Sequence, residues 1–318
     1  MAKLLTIIGA TGTQGGSVVE AALKDGNYKV RGVTRNVESP AAKALSARGV
    51  EMIAADVNDE KSLVKAFEGS SAIFAVTDFF VPFATHTPEE TLEIEASQGI
   101  NLAKAASKTS TLEHYIWSTL PDNQAISNGA CSVPHFESKA RVDEFIRMDK
   151  ALHAKTTFLW VTFYATNIML PMITPSFVAT TGQYVQHMPV SPTTPITTMG
   201  DTKENVGHYA MAILNKPALT LPSKYVLAAT ETIAAGDMLK LWCKVTGKSA
   251  LYLQVSLEDY DRLWPKWGKE VGLMIQFWEA VKEKSWTIDG LLTSDDLGVT
   301  NKLVGMEAVF KSLDWSTL

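Results

Sequence analysis

The run GATGTQGG at residues 9–16 limits what this chain can fold into more than any other feature. It directly follows the short apolar run 4–8 and opens an amphipathic stretch at 16–24, which reads as strand, tight turn and helix. Glycines at 9, 12 and 15 each answer a steric demand of such a turn. The first allows the bend, the second lets backbone N–H groups approach a pyrophosphate, and the third lets the helix pack closely on the strand. Gly9, Thr11, Gly12, Thr13, Gln14 and Gly15 are therefore the expected dinucleotide-binding loop.

Beyond this loop, short apolar runs alternate with helical segments. Strands are expected over 28–34, 50–55, 72–76, 112–117 and 156–161, and helices over 40–48, 58–67, 89–108 and 137–148, with Asn58 capping the helix at 58–67. That alternation predicts an α/β fold with a doubly wound parallel Rossmann sheet. After Phe163 it breaks down, and the Pro-, Thr- and Ser-rich stretch 171–195 reads as loops and short strands lining a cleft. Helices over 202–214 and 233–246, a strand over 252–255 and a crowd of aromatics (Trp264, Trp267, Phe277, Trp278, Trp286) describe a smaller C-terminal α+β domain. The expected division is a dinucleotide-binding domain at 1–162 and a substrate or partner domain at 163–318, some later segments of which return to the sheet.

The strand ends refine the cofactor. Where a site for NAD would offer a carboxylate to the ribose, this chain reads Val33, Thr34, Arg35, Asn36. An arginine there can hold a 2′-phosphate through charge-assisted hydrogen bonds, which favours NADP(H). Asp56 and Val57 close the third strand, where an acceptor and an apolar wall would meet the adenine. Thr77 closes the fourth, beside the path of the ribose and nicotinamide.

Composition excludes several other classes. A net charge of -5 with no long Lys/Arg run argues against direct nucleic-acid binding, which needs a basic face. Two isolated cysteines, Cys131 and Cys243, make neither a disulfide framework nor a metal site, and the histidines at 86, 114, 187 and 208 show no metal spacing. No stretch approaches the roughly 20 apolar residues of a membrane span, and the N-terminus lacks the pattern of a signal peptide. The expected compartment is the cytoplasm, with the nucleus as an alternative. The oligomeric state is not legible.

With GATGTQGG, VTRN at 33–36, AADVND at 54–59, WSTLPD at 117–122 and PHFESKARVDEFI at 134–146, the sequence resembles the NmrA-like family of atypical short-chain dehydrogenases/reductases, which includes fungal nitrogen regulators and HSCARG-like redox sensors. The likeness spans most of the chain and is strongest before Asn167. It implies an NADP(H)-binding Rossmann domain and a smaller C-terminal domain forming a cleft. Typical short-chain dehydrogenases carry YxxxK; here Lys139 takes the lysine place, which implies a hold on the nicotinamide ribose, and His135 stands where the tyrosine would be. Histidine titrates near neutrality and is able to protonate a developing alkoxide. The orienting serine would lie near Ser118, Thr119 or Leu120, with Thr119 reaching in if Leu120 takes the slot. Phe163, Tyr164 and Asn167 fall where the family places the floor of the substrate cleft, and Tyr164 is a substitute acid if its hydroxyl reaches the nicotinamide. Two functions follow: an NADPH-dependent reductase of a small carbonyl, imine or conjugated substrate in the interdomain cleft, or a non-catalytic redox sensor that passes NADP(H) occupancy to a regulatory protein partner.

Overall fold

Strands buried on both faces need continuous apolar runs, and the centre of this chain supplies them. The computed structural model describes residues 3–316. Its strands are β1 (Lys3–Ile8), β2 (Tyr28–Thr34), β3 (Glu51–Ala54), β4 (Ala72–Ala75), β5 (His114–Thr119), β6 (Thr156–Val161) and β7 (Phe163–Tyr164). There follow β8 (Ser176–Val178), β9 (Gln183–Met188), β10 (Pro195–Gly200), β11 (Lys224–Ala228), β12 (Glu231–Ala234) and β13 (Ala250–Gln254). Seven form one sheet in the order β3-β2-β1-β4-β5-β6-β11, and every neighbouring pair is parallel. Residues of β4, β5 and β6 are buried throughout.

Successive side chains of each strand feed opposite layers. Leu5, Ile7, Ile116 and Leu159 pack with Val18, Val19 and Ala22 of the helix Thr13–Asp25 and with Val206 and Tyr209 of the helix Thr202–Asn215. Ile8, Ile73, Tyr115 and Trp117 pack on the other side with Leu63, Leu102, Ala106 and Val142 from the helices Glu60–Phe67, Pro88–Ser107 and Pro134–Met148. The sheet is therefore doubly wound. Its strand order reverses between β1 and β4, and the crevice beyond their carboxyl ends is where such sheets bind ligands.

Two small sheets accompany the central sheet among the described residues, β10 between β12 and β7, and β9 between β13 and β8. A third core of Phe136, Trp160, Phe163, Trp242, Trp278 and Trp286 packs beneath them. Strand β11 returns from this region to the edge of the central sheet. No helix of the described residues is long and apolar enough to cross a membrane.

Local chemistry shifts several boundaries. The third helix starts one residue later than expected, because the side chain of Asn58 is drawn back onto Asp56 Oδ1 (2.8 Å) and Asp59 caps instead, accepting from the Lys61 N–H at 3.0 Å. Residues 233 and 234, expected to begin a helix, belong instead to β12 and are held extended by antiparallel pairing with β10, so the helix runs Ala235–Thr246.

The helix Thr202–Asn215 lies unusually close to Thr13–Asp25. The Gly207 N–H donates to Ser17 Oγ at 2.8 Å, and a Cβ on Gly207 would sit 2.3 Å from the Ser17 carbonyl oxygen. Gly207→Ala is accordingly expected to lower stability by about 1–3 kcal/mol, the ordinary cost of overpacking. A urea midpoint equal to that of the native chain would refute this contact.

Candidate functional site

The glycine loop is built on one close approach. Gly9 leaves β1 with φ +66°, a left-handed conformation that favours glycine, and its carbonyl accepts from the Gly12 N–H at 2.8 Å. A Cβ on Gly15 would lie 2.2 Å from that same carbonyl oxygen and 2.7 Å from that of Ile8, so only glycine lets the helix sit on the strand here. The helix begins at Thr13 with no side-chain cap and no acidic residue in its first turn. Its first amides are thus open to an anion, and Thr11, Gly12 and Thr13 are exposed.

Arg35 stands exposed one residue past β2, and among the described residues no hydrogen bond or ion pair holds it. Asp56, also exposed, accepts from the Asn58 backbone N–H at 2.9 Å, while Val57 is half-buried and its carbonyl accepts from Asn101 at 3.1 Å. These residues follow the strand ends on one side of the loop. Thr77 follows β4 on the other.

At Thr77 the structure assembles a charged cluster. The Lys139 ammonium, projecting from Pro134–Met148, donates to Thr77 O (3.0 Å) and Oγ1 (2.6 Å) and pairs with Glu95 Oε1 at 3.0 Å, so its three protons all have partners. It also lies 5.0 Å from the ring centroid of Trp117. Glu95 is fully buried and further accepts from Thr77 Oγ1 (2.8 Å) and from Ser138 Oγ. A buried pair of this kind costs about 3–5 kcal/mol to break by removing one member, against roughly 0–1 kcal/mol for an exposed pair such as Arg262 with Glu258.

His135 is placed apart from that cluster. Its Nδ1 lies 2.6 Å from Oε1 of the buried Glu270, and the same oxygen accepts the His135 backbone N–H at 3.2 Å. Glu270 therefore both orients the imidazole and satisfies an orphan amide in the first turn of Pro134–Met148. Phe79 and Phe80 stand 5.7 and 5.5 Å from the imidazole centroid. Trp267 stacks on Phe80 at 5.7 Å and meets Phe83 edge-on, so an aromatic wall encloses this histidine.

The alternation of β5 separates the candidate hydroxyls. Ser118 faces the glycine loop and donates to Gln14 Oε1 at 2.7 Å, and Gln14 Nε2 donates to Tyr164 Oη at 2.7 Å. Thr119 faces the other layer, where it donates to Asp143 Oδ1 at 2.7 Å beside Trp117 Nε1 at 2.9 Å. Phe163 is turned into the C-terminal core, edge-on to Trp278 at 5.9 Å, and Asn167 lies half-buried in the short helical turn Ala165–Met169. The fold thus gathers Gln14, Ser118 and Tyr164 at the loop, and Lys139 with Thr77 one strand away, while Thr119 and Phe163 point elsewhere. Cys131 and Cys243 are free and half-buried. No group of three or more His, Cys, Asp or Glu among the described residues is arranged to hold a metal ion.

Glu95, Ser138, Asp143 and Glu270 were not legible as site residues. The first and last carry a signal in retrospect: Glu95 falls on the buried stripe of Leu92, Ala96 and Gly99, and Glu270 on that of Val271, Ile275 and Trp278. A carboxylate at an apolar position of a helix needs a buried partner.

The NmrA-like family model matches residues 1–306, and the chain belongs to the NmrA-like family. It is 31% identical over 176 residues to the oxidoreductase hkm9 of Aspergillus hancockii, which is 55% of this chain and 50% of that protein. It is 34% identical over 145 residues to the oxidoreductase notA of an Aspergillus species, 45% and 41% of the two chains. The match spans half or less of the length of these two fungal relatives. An NmrA-like protein of Dictyostelium discoideum, DDB_G0286605, is 26% identical over 87% of both chains. Among solved structures, the negative transcriptional regulator NmrA in complex with NADP superposes with a TM-score of 0.75 at 19% identity, over 98% of this chain and 96% of that one. The triphenylmethane reductase of Citrobacter sp. complexed with NADP(H) gives 0.71 at 18% identity, over 97% and 99%. Both share the fold.

Asp143, below Thr119, offers a test through pH. Burial pushes its carboxyl up from 3.8 to about 7 against the opposing pull of Thr119, Arg147, Trp117 and Tyr225. The unfolded chain releases this proton first, so the stability Asp143 contributes is fully present below pH 3.8 and is lost as pH rises to about 7. Relative to Asp143→Asn, the native chain should lose unfolding free energy across that window. Parallel pH profiles for the two proteins would show that the carboxyl ionises normally.

Proposed function

We propose that this protein is an NADPH-dependent oxidoreductase that reduces a small carbonyl, imine or conjugated substrate. The observation that carries this reading is the Lys139 ammonium, fixed by a buried carboxylate at the end of β4, next to the strand that ends in the glycine loop. Burying both charges is expensive, and replacing such a pair by apolar residues is often neutral or stabilising, so its presence at the sheet crevice argues for use.

The residues fit the dinucleotide. The cradle that a Cβ on Gly15 would fill, with uncapped amides above it, suits a pyrophosphate. The exposed Arg35 guanidinium suits a 2′-phosphate. Lys139 would exchange one of its present bonds for a ribose hydroxyl. NADPH, when bound, supplies the hydride. Phe79, Phe80, Phe83 and Trp267 would wall the reacting end from water, and a carboxylate-held His135 would present a polar group on that wall. On this reading residues 1–162 carry the cofactor contacts and 163–318 supply most of the substrate side.

One observation favours a redox sensor instead. His135 is only 6% exposed and committed to Glu270, which ties the first turn of Pro134–Met148 to the helix Trp267–Val281 and so links the cofactor side to the C-terminal region a protein partner would read.

NADPH oxidation with ketones, imines and quinones, alongside fluorescence titration of NADPH, separates the two. Turnover of at least one class that is lost in Lys139→Ala is expected. Tight NADPH binding with no turnover of any class would replace the enzyme reading by the sensor. Arg35→Asp should weaken NADPH relative to NADH by about 10–100-fold, the worth of a charge-assisted phosphate contact. An unchanged ratio would remove Arg35 from the cofactor site.

A further inference from the structure

The chain of bonds from Ser118 through Gln14 to Tyr164 has a direction. A glutamine side chain has one acceptor oxygen and one donor nitrogen group. Ser118 uses the oxygen and the nitrogen donates to the phenol oxygen, each at 2.7 Å, so the Tyr164 proton itself is not spent within this chain of bonds. The three residues come from β5, the first turn after the glycine loop, and β7. Among the described residues no other hydrogen-bond chain joins this loop to an acid, since His135 is turned onto Glu270 and Thr119 onto Asp143.

We infer that Gln14 is a positioning residue, anchored by Ser118, that aims the Tyr164 hydroxyl as the proton donor to the oxygen or nitrogen of a reducible carbonyl or imine. This rests on the oxidoreductase reading above and assigns the acid that the missing tyrosine of YxxxK leaves open. Burial holds the phenol up at about 12, with Gln14 pulling it down and the nearby Asp78 carboxylate raising it, so it carries its proton throughout the neutral range. Where bound NADPH would supply a hydride to the carbonyl carbon, the Tyr164 hydroxyl would give its proton to the developing alkoxide oxygen. The phenol O–H bond breaks, an O–H bond forms on the product alcohol, and water returns a proton to the phenolate. The transfer is downhill because an alkoxide is the stronger base.

The test uses the intact 318-residue chain with a ketone or imine that it reduces. Tyr164→Phe should lower kcat by about 100-fold, the usual worth of a general acid, with KM for NADPH little changed. Gln14→Met, of similar volume, should lower kcat by about 10-fold, and the double variant should be no slower than Tyr164→Phe alone. Ser118→Ala removes the anchor while leaving Gln14, and should move kcat in the same direction. Independently of turnover, the Tyr164 resonance in protein labelled at tyrosine Cζ, identified by its loss in Tyr164→Phe, should shift in Gln14→Met. A native kcat in Tyr164→Phe, additive losses in the double variant, or an unmoved resonance would each overturn the inference. A native chain inert to every substrate class removes the oxidoreductase reading itself, whereas turnover that survives Tyr164→Phe removes only this assignment.

Discussion

The approach of the first helix to the first strand, with Gly15 set against the Gly9 carbonyl, is the contact on which the rest of the molecule depends. Any side chain at 15 would push the helix off the strand and withdraw its first amides from the crevice. Because that helix also carries Gln14 toward Ser118 and Tyr164, and Ser17 toward Gly207, one steric condition fixes the glycine loop, the polar chain beside it and the seat of the helix Thr202–Asn215. The reversal of strand order between β1 and β4 then opens the crevice at this same point.

Around the crevice the protein holds ionisable groups where solvent is excluded. Glu95 with Lys139, His135 with Glu270, and Asp143 among Thr119, Trp117 and Tyr225 are each buried, and each is surrounded by donors or acceptors that satisfy it. Such groups are costly to desolvate and are retained where geometry has to be held fixed. The helix Pro134–Met148 contributes to all three, which makes it the part of the molecule that couples the sheet to the C-terminal aromatic core.

How much of this was legible depends on whether a residue's partner lies near it in the chain. The β1 strand, its loop and helix are contiguous, and their period and glycine spacing could be read directly. Strands β2 to β6 followed from apolar runs of the right length. β11 and the helix Trp267–Val281 did not, because β11 is set by pairing with β6 and the helix buries its apolar face in a core built from distant segments. At the site, Gln14 and Tyr164 were visible as residues of the loop and of the cleft floor, while the hydrogen bond that joins them across the sheet edge was not. Ser118 and Thr119 are adjacent in sequence, and only the pleat of β5 decides which one faces the loop.

The sequence by itself determined the doubly wound sheet, the glycine turn between β1 and its helix and the place of Arg35 at a strand end, because these follow from local periodicity and from the steric demands of glycine. Tertiary structure alone decided that Lys139 is held by Glu95, that His135 turns to Glu270, and that Tyr164 meets Gln14. The reason is physical: the desolvation of a charge or hydroxyl, and the partner that offsets it, are properties of where the chain brings distant residues together, and no local pattern encodes them.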